Sequence, residues 1–367
     1  MLFPPSFGAP TSDDYAIAVI IPPEIPPAAL RLELDAHALA NNWRALDRLS
    51  GVASAGAAVK ADAYGLGAAQ AAPLLRDAGC RDFFVAHWSE AAALLPYIDG
   101  AAIAVLHGPL NAGDAAFAKA IGARPVINSL HQARLWLDAG GGRCDLMVDT
   151  GINRLGLPLS ELGDEAVQAL DIDVLLSHLA SAEEDSPLNP RQRGLWGDAR
   201  RRVAHRRGSL ANSAGIALGA TYHGELTRPG LALYGGIPCA AMDGKIQQVV
   251  VLKAAIMQVR DLSAGDGVGY NSTFIAEGPM RAGVIALGYA DGYLRGWSSK
   301  GTMLSNGRRL PVLGRVSMDM TVIDLSAAPE LAEGDWVEVE YTLPIAAAAS
   351  GLSQYELLTL LGDRFGR

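Results

Sequence analysis

The chain has 367 residues, of which 50% are hydrophobic and 19% charged, and it carries a net charge of -9 at pH 7. This composition can build a large buried core and excludes a disordered protein, and the negative charge argues against nucleic acid as a partner. The length suits a barrel of about 230 residues followed by a second unit of about 120.

The N-terminal segment, residues 1–30, contains no lysine or arginine. Its apolar run Ala16–Ile21 is too short to span a bilayer and is closed by two prolines. We therefore expect neither a signal peptide nor a membrane helix. This proline-rich segment is expected to pack against the second unit.

Short apolar runs alternate with helix-like segments from about Leu30 to Leu233. These runs are apolar on both faces, which is typical of parallel strands covered by helices. The predicted strands are Ala55–Lys60, Phe83–His87, Ile103–His107, Pro125–Asn128, Asp145–Asp149, Val174–His178, Ser209–Asn212 and a short one within Thr221–Pro229. About eight βα units in succession predict an α/β fold, a TIM-type (β/α)8 barrel over residues 31–240.

After about Ala240 the pattern changes to short strands separated by glycine turns, with little helical periodicity. This predicts a mostly-β C-terminal domain over residues 241–367. The basic run Arg200–Arg207 in the barrel half is interpreted as the solvated face of a helix. The three cysteines are odd in number and widely spaced, which favours neither disulfides nor a metal site and makes a reducing cytoplasm the expected location.

Lys60 stands out in the stretch AAVKADAYGLG, residues 57–67, because it follows an apolar run and precedes a glycine-punctuated turn. A lysine at such a strand end can be partly desolvated, which lowers the pKa of its amine and makes it a candidate for a Schiff base with a carbonyl compound. The ordinary alternative is a lysine whose stem packs while its amine reaches water. Lys60 alone does not decide between the two.

This lysine motif closely resembles that of the alanine racemases, pyridoxal phosphate enzymes built on a TIM-type barrel. Seven further blocks resemble the same family in its own order, and eight ordered blocks are far more specific than one. They are DTGINRLG (149–156), SHLASAE (177–183), ANSAG (211–215), TRPGLALYG (227–235), VGYNSTF (268–274), GYADGYLR (288–295) and GRVSMD (314–319). The resemblance implies a homodimer in which each site combines one subunit's barrel with the other's β domain.

The resemblance implies that pyridoxal 5'-phosphate is bound through Lys60, that Arg228 faces its pyridine nitrogen, and that the N–H groups of Gly230 and Leu231 hold its phosphate. The other cofactor-binding residues implied are Tyr64, Arg154, His178, Asn212, Ser213 and Tyr355. An arginine does not give up its proton, so the pyridine nitrogen should stay unprotonated and the ring should withdraw electrons less strongly. A weaker electron sink suits an enzyme that only moves an α-proton.

Racemisation needs two acid/base groups on opposite faces of the α-carbon. By resemblance these are Lys60 and Tyr270, the tyrosine being contributed by the second subunit. Because an unperturbed tyrosine has a pKa of about 10, it must be coupled to a neighbour. The resemblance assigns that part to His178, which in turn meets Arg228.

Substrate binding is assigned by resemblance to Arg154 and the backbone of Met318, with Asp319 beside them. The implied substrate corridor is formed by Tyr289, Arg295, Arg315 and Glu183, and tyrosines at its narrow end favour a small side chain. Met147 stands where many family members have a lysine that becomes carbamylated and orients the arginine. What holds Arg154 here is left open.

The predicted function is the interconversion of L-alanine and D-alanine by proton transfer between two bases. A broad-specificity racemase or a decarboxylase of the same fold is the alternative, although a decarboxylase is expected to carry an acidic residue where Arg228 stands. A non-catalytic pyridoxal phosphate carrier uses a single barrel, so the β half argues against it. Supply of D-alanine for peptidoglycan and breakdown of alanine are both left open.

Overall fold

Eight parallel strands close into a barrel in the computed structural model, which describes residues 26–366. The last barrel strand, Leu226–Thr227, pairs with Ser54–Ala55 of the first, and on its other side the Arg228 N–H donates to the Ala211 carbonyl at 2.8 Å. These two contacts close the ring and confirm the predicted TIM-type barrel. The strands are Ser54–Ala55 continued by Ala57–Ala58, Phe83–Val85, Ile103–Val105, Arg124–Ile127, Arg143–Asp149, Asp171–Leu176, Arg207–Ser209 and Leu226–Thr227.

Helices cover the outside of this barrel. In the first of them Asp35 accepts a hydrogen bond from the Ala38 N–H at 2.9 Å, and Leu39, Trp43 and Leu46 are buried. That burial follows from their spacing of three and four residues, which places them on one face. The helices are Ala36–Ser50, Ala68–Ala78, Trp88–Leu94, Ala112–Ile121, Leu130–Asp138, Glu165–Gln168, Leu188–Arg202 and Ser213–Ala217.

The second domain is an antiparallel sheet that also closes on itself, because Ala254 of its longest strand pairs with Val337 of its last. This confirms the mostly-β C-terminal domain. In spatial order its strands are Leu30–Leu34, Val250–Leu262, Met280–Ile285, Thr321–Asp324, Arg308–Leu313, Thr302–Ser305 and Trp336–Val339. The chain thus contributes a strand to this domain before it builds the barrel. The packing predicted for the N-terminal segment falls largely on residues 1–25, outside the described residues.

Some element boundaries differ from the predictions. The strand predicted over Ser209–Asn212 ends at Ser209, because Asn212 instead caps the next helix by accepting from the Gly215 N–H at 2.8 Å. The helix carrying the basic run ends at Arg202, so Arg207 is not on its solvated face and begins a barrel strand. The helices Leu343–Ser350 and Gln354–Thr359 were not predicted, because the first is a run of small residues with little polar contrast.

Within residues 26–366 no helix is long and apolar enough to cross a membrane. The cysteines Cys80, Cys144 and Cys239 are unpaired, and the first two are buried. Across the same residues no cluster of histidine, cysteine, aspartate and glutamate side chains could hold a metal ion.

Candidate active site

Lys60 follows the barrel strand Ala57–Ala58 at the carboxyl end of the parallel strands. Its amine makes no hydrogen bond or ion pair with any residue in the described part of the chain. Burial lowers the pKa of this amine, and the charges of Arg154 and Arg228 lower it further, against the opposing effect of Glu90. An amine with a lowered pKa is present to a larger extent in its unprotonated form near neutral pH, and this is the form that attacks a carbonyl or accepts a proton, so Lys60 has the properties expected of a reactive lysine.

The backbone after Lys60 is left-handed over four consecutive residues that are not glycine. The φ angles of Ala61, Asp62, Ala63 and Tyr64 are 52°, 52°, 55° and 59°. Each such residue costs roughly 1–2 kcal/mol relative to the right-handed form, so the surrounding structure must hold the turn in place. Glu90 does so by accepting from the Ala61 N–H at 2.6 Å.

Donor groups for an anion surround Gly230, beside this turn. The Ser213 hydroxyl oxygen accepts from the N–H groups of Gly230 and Ala232 at 3.0 and 3.2 Å, which leaves its own proton free to donate. The N–H of Leu231 has no hydrogen-bond partner among residues 26–366. A Cβ at position 230 would lie 2.2 Å from the Tyr64 hydroxyl, so only glycine fits there.

Arg228 is buried with its guanidinium against neutral oxygens. One terminal nitrogen donates to the Ser209 carbonyl at 2.8 Å and to the Ser209 hydroxyl at 2.5 Å, and the other donates to the Ser177 carbonyl at 2.5 Å. Burial lowers the pKa of Arg228 to about 10, against the opposing charge of Asp145. At neutral pH the side chain is still a cation, and it is fixed at the ends of two barrel strands.

His178 lies two residues after the end of the neighbouring strand, Asp171–Leu176. Burial lowers the pKa of His178 to about 3, and the nearby cations Arg228, Arg154 and Lys60 contribute in that order. The ring is therefore neutral at ordinary pH, so it can accept a hydrogen bond from a proton-bearing group.

A second set of predicted site residues lies on the β domain. Tyr270 sits in the hairpin between Gly267–Val268 and Phe274–Ile275 and is 62% exposed. The Arg295 guanidinium lies 5.5 Å from the centre of the Tyr289 ring. The other members are Met318, which is exposed, Asp319, which pairs with Arg364 at 2.7 Å, and Arg315.

Tyr355 is the predicted site residue that links the two domains within one chain. Its hydroxyl donates to Glu183 at 3.1 Å, and its ring centre lies 6.2 Å from that of Tyr64. Among the described residues, no hydrogen bond, ion pair or ring contact joins Tyr270 to Lys60. The predicted residues therefore form a barrel set, which Tyr355 joins, and a β-domain set around Tyr270 that makes no contact with Lys60 within residues 26–366.

Arg154 lies in the loop that follows Arg143–Asp149, and Asp149 shapes this loop by accepting from the Gly151 N–H at 2.8 Å. Arg154 is exposed and makes no hydrogen bond or ion pair within residues 26–366. Met147 is buried beneath the same loop. Among the described residues, no neighbouring side chain replaces the anchor that the methionine cannot provide.

Three residues near Lys60 were not predicted. Glu90 accepts from the Ala86 N–H at 2.6 Å as well as from the left-handed turn, and Ser209 holds Arg228. His107 lies with its ring centre 4.3 Å from that of His87, and burial lowers its pKa, with further contributions from His87 and Lys60. Both histidines end predicted barrel strands, which is a signal that sequence reasoning could have used.

A (β/α)8 barrel with an unpaired, easily deprotonated lysine and an anion cradle at the strand ends defines a barrel enzyme with a reactive amine. The family models give its identity. Residues 34–238 match "Alanine racemase, N-terminal domain" and residues 249–367 match "Alanine racemase, C-terminal domain". The chain belongs to the alanine racemase family.

Relatives and solved structures agree with this assignment. The chain is 42% identical to an alanine racemase of Methylobacterium nodulans, covering 92% of this chain and 95% of that protein. An alanine racemase of Bartonella henselae with covalently bound pyridoxal phosphate superposes with a TM-score of 0.85 at 34% identity, covering 93% of this chain and 99% of that one. The biosynthetic alanine racemase of Pseudomonas aeruginosa superposes with a TM-score of 0.82 at 33% identity, covering the same shares of the two chains.

Proposed function

We propose that this protein interconverts L-alanine and D-alanine, with pyridoxal phosphate bound at the barrel mouth through Lys60. The observation that carries the proposal is the unpaired amine of Lys60 beside the donor cradle at Gly230. The Ala58 N–H donates to the Pro229 carbonyl at 2.9 Å, so the strand that leads to Lys60 lies against the cradle. Pyridoxal phosphate carries an aldehyde, which reacts with an amine, and a phosphate, which needs hydrogen-bond donors. Lys60 and the cradle provide both.

The residues present fit this cofactor. The hydroxyls of Ser213 and Tyr64 and the N–H of Leu231 are the donors that would hold its phosphate. Arg228, fixed by three hydrogen bonds, would face the ring nitrogen as a hydrogen-bond donor. When bound, pyridoxal phosphate bonds to the amino group of an amino acid and draws electrons from the α-carbon, which makes the α-proton acidic.

The chain itself must then remove the α-proton on one face and return a proton on the other. Lys60 serves one face, because its amine readily exists without its proton. Tyr270 from a second subunit serves the opposite face, and the neutral His178 ring is the acceptor for its hydroxyl proton. The separation of Tyr270 from the barrel set within one chain supports this homodimeric arrangement, because the exposed tyrosine of one copy can then contact the barrel mouth of the other.

Arg154 and the backbone of Met318, with Asp319 beside it, are proposed to receive the substrate carboxylate. Tyr289, Arg295, Arg315 and Glu183 are proposed to line its corridor. Cytoplasmic location remains part of the proposal and is supported by the three unpaired cysteines. Relatives from Agrobacterium fabrum named catabolic and biosynthetic are each 40% identical to this chain, so the likeness favours neither role.

The substrate is tested by incubating the purified protein and pyridoxal phosphate with L-alanine, L-serine and L-lysine in separate reactions. Each D-enantiomer is then measured by chiral chromatography. We expect D-alanine to form fastest and D-lysine not to form. Equal rates with lysine would contradict the small-substrate proposal and favour a broad-specificity racemase.

The composite site is tested with mixed dimers of Lys60→Ala and Tyr270→Phe. Each homodimer should be almost inactive because it lacks one of the two bases. Random mixing makes about half of the dimers hybrid, each with one intact site of two, so activity should return to roughly a quarter of wild type. If subunit exchange is confirmed by mass spectrometry and activity stays at the level of the parents, the two residues act within one chain and the composite site is wrong.

A further inference from the structure

His223 is buried, with 3% of its surface exposed, and both of its ring nitrogens face carbonyl oxygens. Nδ1 lies 2.9 Å from the carbonyl oxygen of Ser50, and Nε2 lies 2.9 Å from that of Ile216. A carbonyl oxygen only accepts hydrogen bonds, and a neutral imidazole has a single N–H to donate. Each of these oxygens also accepts a backbone N–H, from Ala53 at 3.2 Å and from Gly219 at 3.3 Å. The neutral ring would still place a lone pair against one of the two oxygens, whereas the doubly protonated ring donates to both.

His205 provides a contrast within the same chain. Its Nδ1 lies 2.8 Å from the Val203 carbonyl oxygen, and its Nε2 accepts from the Arg200 Nε at 3.3 Å. One acceptor and one donor suit a neutral ring that carries its proton on Nδ1. The partners of the two histidines thus call for different protonation states.

The C-terminal end of a helix lies against the His223 ring. Ser50 is the last residue of the helix Ala36–Ser50, where the carbonyl groups carry a partial negative charge. The helix Ser213–Ala217 contributes no ionisable residue. Of the charged residues on the elements packed around the ring, Asp47 accepts from the Ala55 N–H, Glu225 pairs with Arg200, and Arg48 is exposed.

The two carbonyls that His223 contacts belong to elements that build the anion cradle. Ile216 lies in the same short helix as Ser213, whose hydroxyl accepts from the Gly230 N–H. The Ser50 hydroxyl is 2.7 Å from that of Thr227, three residues before Gly230. A link between Ser50 and Ile216 therefore fixes both sides of the cradle relative to each other.

We propose that His223 is a positioning residue whose doubly protonated ring joins Ser50 to Ile216 and thereby holds Ser213 in place to receive a phosphate group. The protonation state stands on hydrogen-bond geometry alone, whereas the effect on the cradle rests on the proposed function. His223 contacts Ser50 and Ile216, and it acts on the cradle through the helix Ser213–Ala217.

The protonation state is tested by NMR of the wild-type protein labelled with 15N-histidine at pH 7. The signals are assigned by triple-resonance spectra of the wild-type protein and checked with His205→Gln. We expect two protonated ring nitrogens for His223 and one for His205. An unprotonated nitrogen on His223 would overturn the inference, and this result is independent of whether the protein binds any cofactor.

The effect on the cradle is tested by the dissociation constants of pyridoxal phosphate and of pyridoxal, which lacks the phosphate, for cofactor-free protein. His223→Gln should weaken pyridoxal phosphate binding at least tenfold and leave pyridoxal binding within twofold of wild type. His205→Gln should change neither. Equal weakening of both ligands, or of neither, would overturn the role at the cradle. If wild-type protein binds neither ligand, the proposed function fails and the NMR result stands by itself.

If His223→Gln does not fold, the ratio of the two dissociation constants is measured on wild type on both sides of the pH at which the NMR signal of His223 loses its proton. The phosphate is almost fully ionised above about pH 7, so its own titration does not move this ratio there. Preference for the phosphate-bearing ligand should fall at least tenfold as the ring loses its proton. A constant ratio would contradict the inference.

Discussion

Charged side chains are paired differently at the two ends of the barrel. At the N-terminal ends of the strands, Arg124 and Arg207 are enclosed with three aspartates. Arg124 lies 3.0 Å from Asp82 and 3.3 Å from Asp145, and Arg207 lies 2.8 Å from Asp82 and 2.7 Å from Asp173. At the opposite ends, Lys60 and Arg154 are unpaired among the described residues and Arg228 meets only neutral oxygens. Charges that pair with one another hold the N-terminal end of the barrel, called the closed end, whereas the cations at the carboxyl end, called the open end, have no anionic hydrogen-bond partner among the described residues.

The charges at the closed end do not cancel, because three carboxylates face two guanidinium groups. Burial raises the pKa of Asp145 to about 6, against the charge of Arg124. Burial also opposes ionisation of Asp173, but the hydrogen bond and charge of Arg207 outweigh it and hold the pKa of Asp173 below its usual value. The two carboxylates differ because Arg207 binds only the second.

Lys60→Met should have the largest effect, and on activity alone. It removes the amine that is proposed to bind the cofactor and to act as one of the two bases, so racemisation should fall to background. The free energy of unfolding should change by less than about 1 kcal/mol, because no polar partner is left unsatisfied. Chiral chromatography and urea unfolding of cofactor-free protein measure the two quantities. Lys253→Met, which removes an exposed pair with Glu33, is the control and should keep full activity.

Arg124→Met should instead reduce stability, because it leaves Asp82 and Asp145 buried without their cation. We expect a loss of about 3–5 kcal/mol in the free energy of unfolding, measured with urea. Arg134→Met, which removes an exposed pair with Asp164, should cost less than about 1 kcal/mol. Similar losses in the two variants would show that the cluster at the closed end has no special role in stability.

Asp145→Asn should alter how stability depends on pH. A carboxyl whose pKa is raised on folding favours the folded state fully below its unfolded pKa, and this contribution disappears as pH rises to the folded value. Wild type should therefore lose up to about 3 kcal/mol between about pH 4 and pH 6 relative to Asp145→Asn. Urea unfolding of both proteins across this range measures the difference. Parallel pH profiles would mean that Asp145 is ionised throughout.

Ala61→Gly should have the smallest effect, and it should stabilise. Glycine adopts the left-handed backbone freely, and the Ala61 side chain is exposed, so we expect a gain of about 1 kcal/mol. Ala92→Gly, at an exposed position in the right-handed helix Trp88–Leu94, should instead lose about 0.5–1 kcal/mol. Thermal unfolding compares them, and a loss in both variants would contradict strain in the turn.

The sequence was sufficient for the fold because its signals are local. The apolar runs ending at His87 and His107 predicted barrel strands, and the structure places strands at Phe83–Val85 and Ile103–Val105. The position of Lys60 at a strand end also followed from its neighbours. The left-handed turn did not, because alanine and tyrosine carry no signal for a positive φ that distant contacts impose.

Residue order and type thus determined the barrel, the β domain and the resemblance to one family, since strand periodicity and motif spacing are written along the chain. Only the tertiary structure decided which charges are paired. Arg207 and the exposed Arg202 belong to the same basic stretch of the sequence, yet Arg207 pairs with Asp82, 125 residues away. His205 and His223 are likewise the same residue type with different partners. Such contacts depend on groups far apart in the chain, and folding alone brings them within hydrogen-bond distance.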